Sequence, residues 1–287
     1  MTPVTSRAPL EAVAVSRTHA PATASRWRAL AVLCAGQLMV ILDGTIVNVA
    51  LPAIQRDLGF SPSGLAWVVN IYLVPFGGLL LLSGRLGDLV GRKRVFVAGL
   101  ALFTLASLLC GLARDPATLL ASRFVQGVGG AVTSAGTLGM VVTLFPEARE
   151  RARAIGVYSF VQSAGGSLGL LAGGVLTQAL DWHWIFVVNV PIGAAAVLAA
   201  GRVLAPERGA GLGRGTDAAG ALLVTSALML GVYTIIETAA HGWASAHTAG
   251  LGAVAVALLG ALEVLTKALD VSVGDQAGRE AEEGFVD

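Results

Sequence analysis

One acidic residue stands out before any secondary structure is assigned. Asp43 lies in the middle of the apolar run "QLMVILDGTIVNVALP". A charge at the centre of a membrane helix costs roughly 2.5–3.5 kcal/mol on insertion scales, so such a residue faces a cavity or a partner. Two readings follow. Asp43 is a titratable proton or cation site, or it is a structural carboxylate satisfied by neighbours such as Thr45 or Asn48. A second charge, Arg123, opens "RFVQGVGGAVTSAGTLG", with Gln126 one turn further on. Arg123 is either an interfacial side chain that snorkels to water or a buried cation acting on a nearby carboxylate. Gln126 is placed to share its network. Other chemistry is sparse. His19, His183, His241 and His247 fall in a tail, a loop or span ends, with no Ser/His pair or metal cluster on a buried helix. Neither an enzyme, a resident metal nor another cofactor is therefore expected. Cys34 and Cys110 sit within apolar runs and suit packed thiols.

The elements that carry these residues follow from composition. Of 287 residues, 55% are hydrophobic and 13% charged, with a mean hydropathy of +0.76. A soluble domain carries about twice that share of charge. A soluble globule, a disordered chain and a nucleic-acid binder are excluded. A bilayer core about 30 Å thick needs roughly 20 helical residues. Apolar segments of that size recur at 28–50, 64–84, 94–113, 118–144, 152–178, 184–204, 217–237 and 247–266. They do not alternate polar and apolar residues as barrel strands do. The expectation is an all-α membrane protein of eight spans.

Charge then sets the direction of each span. Of the 19 Lys+Arg, all except Arg56, Arg114 and Arg123 fall in the N-terminal segment, in alternate loops or in the C-terminal segment. The positive-inside rule places both termini in the cytoplasm. Residues 1–27 read as a disordered cytoplasmic tail rich in Pro, Ser, Thr and Ala. Residues 28–204 form a six-span domain and 205–216 a cytoplasmic loop. Residues 217–266 form a further pair of spans and 267–287 a polar tail.

Small residues mark packing surfaces. Gly127, Ala131, Ala135 and Gly139 recur every fourth residue, as do Gly165, Gly169 and Gly173, a spacing that lets membrane helices approach closely. Between the second and third spans runs "GRLGDLVGRKR", Gly84–Arg94. Its glycines, Gly84, Gly87 and Gly91, suit a tight turn, and Asp88 is placed to cap the next helix and pair with Arg92. Trp67, Tyr72 and Phe76 on the second span, with Phe160 and Gln162 on the fifth, either line a cavity or face lipid and protein.

These residues resemble a known family. "GRLGDLVGRKR" resembles the loop motif between the second and third helices of the major facilitator superfamily. "LDGTIVNVALP" (Leu42–Pro52), "RFVQGVGGA" (Arg123–Ala131), "GSLGLLAGG" (Gly166–Gly174) and "DWHWIFVVNVPIG" (Asp181–Gly193) resemble motifs of its fourteen-helix drug:proton antiporter branch. Leu170 stands where the fifth-helix motif usually has Pro, and His183 where the sixth-helix entry often has Arg. The resemblance implies a polyspecific exporter driven by protons and located in the cell membrane. Its partners are the bilayer, protons and a drug-like or metabolite substrate. By resemblance, Asp43 is the proton-coupling carboxylate and Arg123 assists proton transfer. Gly84, Arg85, Gly87, Asp88, Gly91 and Arg92 form a conformational latch. Gly165, Gly169, Gly173 and Gly174 form a packing seam, and Asn48, Tyr72 and Gln126 are candidate cavity residues. Fourteen spans need well over 287 residues. The chain is accordingly expected to be the N-terminal portion of a larger transporter that lacks its C-terminal half. A half-size transporter that forms a homodimer and a non-functional truncated product are the other readings.

Overall fold

A computed structural model describes residues 23–207, 209–211 and 218–263. Every regular element among them is a helix. They are α1 (Thr23–Leu58), α2 (Pro62–Val90), α3 (Arg92–Gly111), α4 (Pro116–Ala135), α5 (Thr137–Leu144), α6 (Ala148–Ala179), α7 (Trp184–Val187), α8 (Asn189–Val203) and α9 (Ala218–His241). A tenth, α10, runs over Ala246–Glu263. Among the described residues eight segments are long and apolar enough to span a membrane, with α4–α5 and α7–α8 each forming one span. The all-α, eight-span architecture read from hydropathy is the one observed.

Local signals explain the helix ends. Ser61 accepts a hydrogen bond from the Gly64 amide and precedes Pro62 at the first position of α2. Asp115 does the same for α4: its carboxylate accepts from the Thr118 amide at 2.9 Å, with Pro116 next in the chain. An oxygen-bearing cap followed by Pro satisfies amides that a helix start would leave open.

Several boundaries differ from the hydropathy reading, among them the break of the sixth span between α7 and α8. Helix α1 begins at Thr23, inside the stretch that composition assigned to a disordered tail; residues 1–22 and the C-terminal tail lie outside the described residues. The fourth span breaks at Gly136 into α4 and α5. Gly84–Val90, expected to be loop, is the end of α2. The reason is length. With 29 residues α2 is about 44 Å long at 1.5 Å per residue, so its last, polar turns extend beyond the hydrocarbon. Only Gly91 makes the turn, at φ 108°, a conformation that glycine alone adopts freely.

The bundle is held by close pairs: α3 with α4, α1 with α6 and α2 with α4, while α9 packs on α2. Two apolar clusters stack along it. One gathers Leu33, Phe96, Leu100, Phe103 and Phe145. The other gathers Ile46, Ile54, Val68, Ile185 and Phe186. The small-residue stripe of α4 lies close against α2, since a methyl group on Gly127 would strike the Tyr72 carbonyl and press on Pro75; off that stripe, one on Gly129 would lie 2.6 Å from the Phe103 amide nitrogen of α3. On α6, a methyl on Gly165 would press on Leu38 and Ile41. One on Gly169 would strike Thr45 and the Leu42 carbonyl, and one on Gly173 would meet the Ile46 carbonyl. Gly174 has nothing within 4 Å and is not part of this close contact. The expected seam of four glycines is a seam of three, because Gly174 lies off the 4-residue period that faces α1.

Candidate functional site

Five spans place side chains or backbone around one carboxylate. Asp43 is fully buried on α1. Arg123 on α4 is equally buried, and its Nη1 donates to Asp43 Oδ2 at 2.5 Å. Gln126 lies three residues on, on the same face of α4. It accepts from Arg123 Nη1 at 2.7 Å and donates to Asp43 Oδ1 at 2.7 Å. From α8, Asn189 Nδ2 donates to Asp43 Oδ1 at 3.1 Å and lies 3.3 Å from the Ser107 hydroxyl of α3, to which Gln126 also donates at 2.6 Å. Helix α2 supplies the Val68 carbonyl, which accepts from Arg123 Nε at 3.1 Å, and the Tyr72 ring, whose centroid is 4.4 Å from the guanidinium carbon.

The physical logic is that of a buried ion pair. Two charges removed from water are tolerated only when they pair and their remaining hydrogen-bonding capacity is largely met. Asp43 takes one charged and two neutral donors. Arg123 gives one hydrogen bond to charge and two to neutral oxygens, with an aromatic face against its plane. Two atoms at the site have no hydrogen-bonding partner among the described residues: Arg123 Nη2 and Asn189 Oδ1. The cluster therefore keeps unused capacity of both kinds, a donor and an acceptor, beside a titratable carboxylate.

Of the two readings left open for Arg123, the structure has the buried one. Thr45 and Asn48 do not bond Asp43; each donates to carbonyls of its own helix, Thr45 to Leu42 at 3.0 Å and Asn48 to Gly44 at 3.2 Å. Asn48 is exposed, whereas Tyr72 and Gln126 lie within the cluster. Trp67 stacks on Tyr233 of α9 at 5.8 Å, so it faces a neighbouring helix, and Phe76 stacks on Tyr72. Phe160 and Gln162 are exposed on α6. Sequence reading missed Asn189 and Ser107. Asn189 is a lone amide in the run "FVVNVPIG", the same signal that drew attention to Asp43.

The glycine-rich segment forms a second constellation at one end of the bundle. Arg92 donates to Asp88 Oδ1 from Nη2 at 3.0 Å and reaches Thr143 of α5 at 3.5 Å. Asp88 thus pairs with Arg92, but it does not cap α3, whose N-cap Gly91 has no side-chain hydrogen bond. A methyl on Gly139 would lie 3.3 Å from Arg92 Nη1. The segment after α8 docks here as well. The amides of Ala210 and Gly211 donate to the carbonyls of Asp88 and Leu89, in the last turn of α2, at 2.9 and 3.0 Å. Gly84 has open space around it, and nothing in the structure explains a glycine there. Arg26, Lys93 and Glu150 lie at this same end, where Arg26 pairs with Glu150 at 3.1 Å and Lys93 donates to the Gly201 carbonyl at 2.9 Å. At the other end Trp182 donates to Asp57 at 2.9 Å and the His183 ring meets the Ala113 carbonyl.

A family model described as the Major Facilitator Superfamily matches residues 33–277. The chain belongs to the Major Facilitator Superfamily. This facilitator is a multi-pass membrane protein of a transporter family, not an enzyme. It is 47% identical over 218 residues to the puromycin resistance protein of Streptomyces alboniger, covering 76% of this chain and 43% of the relative. It is 44% identical to the cephamycin export protein of Amycolatopsis lactamdurans, covering 85% and 49%. It is 38% identical to the methylenomycin A resistance protein of Bacillus subtilis, covering 85% and 53%. The chain thus spans about half the length of the relatives it matches. A crystal structure of a peptide transporter shares the fold at a TM-score of 0.60 and 14% identity, covering 76% of this chain and 48% of that one.

Proposed function

We propose that this facilitator contributes the N-terminal bundle of a proton-coupled exporter of drug-like molecules, with Asp43 as the proton-accepting group. The observation that carries this reading is the fully buried Asp43–Arg123 pair tied to Gln126 and Asn189. Protonation of Asp43 removes the charge that holds Arg123. The guanidinium then keeps Val68 and Gln126 and is free to turn its unused Nη2 elsewhere. Deprotonation restores the pair. One proton thereby switches the contact between α1 and α4, which is the kind of two-state element that rocking of helical halves requires. The relatives' names support antibiotics or similar small molecules as the substrate class. Asn48, Tyr72 and Gln126 are our candidates for the cavity wall. The Asp88–Arg92 pair, with Gly84, Arg85, Gly87 and Gly91, serves as the cytoplasmic latch in this scheme. Gly165, Gly169 and Gly173 are the surface on which α6 moves against α1. Both termini face the cytoplasm across the cell membrane, in accord with the basic residues gathered at the latch end.

Because the chain covers about half of each relative, we assign substrate passage to a complete transporter rather than to this chain alone. The test is dye efflux from an efflux-deficient host. The chain is expressed alone and joined in register to the C-terminal half of the Streptomyces alboniger relative. The expected result is efflux driven by a pH gradient from the joined form and its loss in Asp43→Asn. Gradient-driven efflux untouched by Asp43→Asn would overturn the coupling role. Efflux from the chain alone would overturn the assignment to a complete transporter.

A further inference from the structure

Three ligand-bearing side chains meet outside the Asp43 cluster, at the turn between α9 and α10. Glu237 and His241 are four residues apart in the last turn of α9 and so share a face. Gly242, at φ 78°, ends that helix, and its amide donates to the Thr238 carbonyl at 2.9 Å. The chain reverses over Trp243–Ser245. The Ser245 hydroxyl then accepts from the Thr248 amide at 3.1 Å and starts α10. That geometry brings His247, in the first turn of α10, back to His241. The ring centroids are 4.6 Å apart and tilted by 37°. His241 Nδ1 is 3.0 Å and His247 Nε2 is 3.8 Å from the same atom, Glu237 Oε2. One ligand atom from each residue lies within 4.8 Å of the others.

We propose that Glu237, His241 and His247 form a binding site for a divalent transition-metal ion of the zinc class, joining α9 to α10. Donor chemistry points to that class. Two imidazole nitrogens and one carboxylate oxygen are the set used by zinc sites that keep an open fourth position, and no thiolate is present to favour a softer ion. The spacing fits. Donors around a tetrahedral ion with bonds of about 2.0–2.2 Å are roughly 3.4 Å apart, so small side-chain rotations bring all three into reach. Exposure fits as well. The Glu237 side chain is 12% exposed, while the two histidines are about half exposed at 47% and 49%, which leaves an entry path and room for a water as the fourth ligand. An ion pair alone accounts for this arrangement less well. Both imidazole nitrogens converge on the same carboxylate oxygen, so a single ion would meet all three donors at once. Sequence reading passed over these histidines because each was judged alone. The pattern of Glu237, His241 and His247 unites only once the turn folds back.

The site is independent of the transport reading, and its test needs only the purified full chain without a histidine tag. Titration with zinc chloride followed calorimetrically should show one ion per chain. His241→Ala and His247→Ala should each weaken binding by about tenfold or more. Cobalt(II) should give the visible absorption of a low-coordinate nitrogen/oxygen site in the parent and lose it in the double variant. Both histidines are half exposed, so the variants should unfold at the parent's temperature without metal, which separates lost ligands from lost fold. Absence of stoichiometric zinc binding in the parent, or equal binding in the double variant, would overturn the proposal.

Discussion

The pair at the centre of the bundle is best understood as two charges that stabilise each other only together. Removing one leaves the other buried and unpaired, which costs about 3–5 kcal/mol, while replacing both with apolar groups of similar volume is close to neutral. Arg123→Met should therefore destabilise the solubilised chain strongly. Adding Asp43→Leu to it should recover more than half of that loss, as read from thermal unfolding in detergent micelles. Additive losses would show that the two side chains are not coupled. Asp43, Arg123 and Gln126 were legible because a charge or an amide in an apolar run is conspicuous. Their partners were not. Ser107 is a small hydroxyl of a kind that membrane helices carry for many reasons. The Val68 carbonyl has no sequence signal at all. That Arg123 turns inward is decided by where Asp43 lies on another helix, 80 positions away in the chain. Periodicity within α4 holds no record of it.

At the scale of helices, hydropathy marks where the membrane is and not where a helix stops. It located all eight spans, since each must hide about 30 Å of backbone from lipid. It misplaced the end of α2 because the polar residues of Gly84–Val90 read as loop, although a helix that leaves the hydrocarbon continues in water at little cost. The breaks at Gly136 and before Asn189 escaped for the opposite reason, since neither is marked by a neighbouring charge. Glycine spacing was more telling, and it can be tested position by position. Gly169→Val would drive a side chain into Thr45 and the Leu42 carbonyl, so α6 must shift away from α1. Overpacking of this kind typically costs about 1–3 kcal/mol. Gly174→Ala enters open space and should change stability by less than about 0.5 kcal/mol. Thermal unfolding of the two variants side by side checks this, and equal destabilisation would remove the distinction drawn between the two glycines.

For the whole molecule, the two ends of the bundle differ in charge, and that difference implies a direction across the membrane. The end with Arg92, Lys93 and Arg26 should face the cytoplasm and the α9–α10 turn the outside. A cysteine at Trp243, 75% exposed, should react with a membrane-impermeant maleimide added to whole cells. One at Ala205, at the same end as Arg26 and Lys93, should react only after lysis. The native thiols leave a low background because Cys34 and Cys110 are both buried. Labelling in the reverse order would invert the topology.

The attachment of α9 sets how force passes through such a molecule. Its flank leans on α2, where Met229 fits against Gly78 and Tyr233 lies on Trp67. Its leading segment is stitched by the Ala210 and Gly211 amides to the end of that same α2. Both fastenings are to one post. When α2 tilts, α9 is carried round with it like a rudder on its stock, and in the transport scheme proposed above the sliding then falls on the glycine-lined face between α1 and α6.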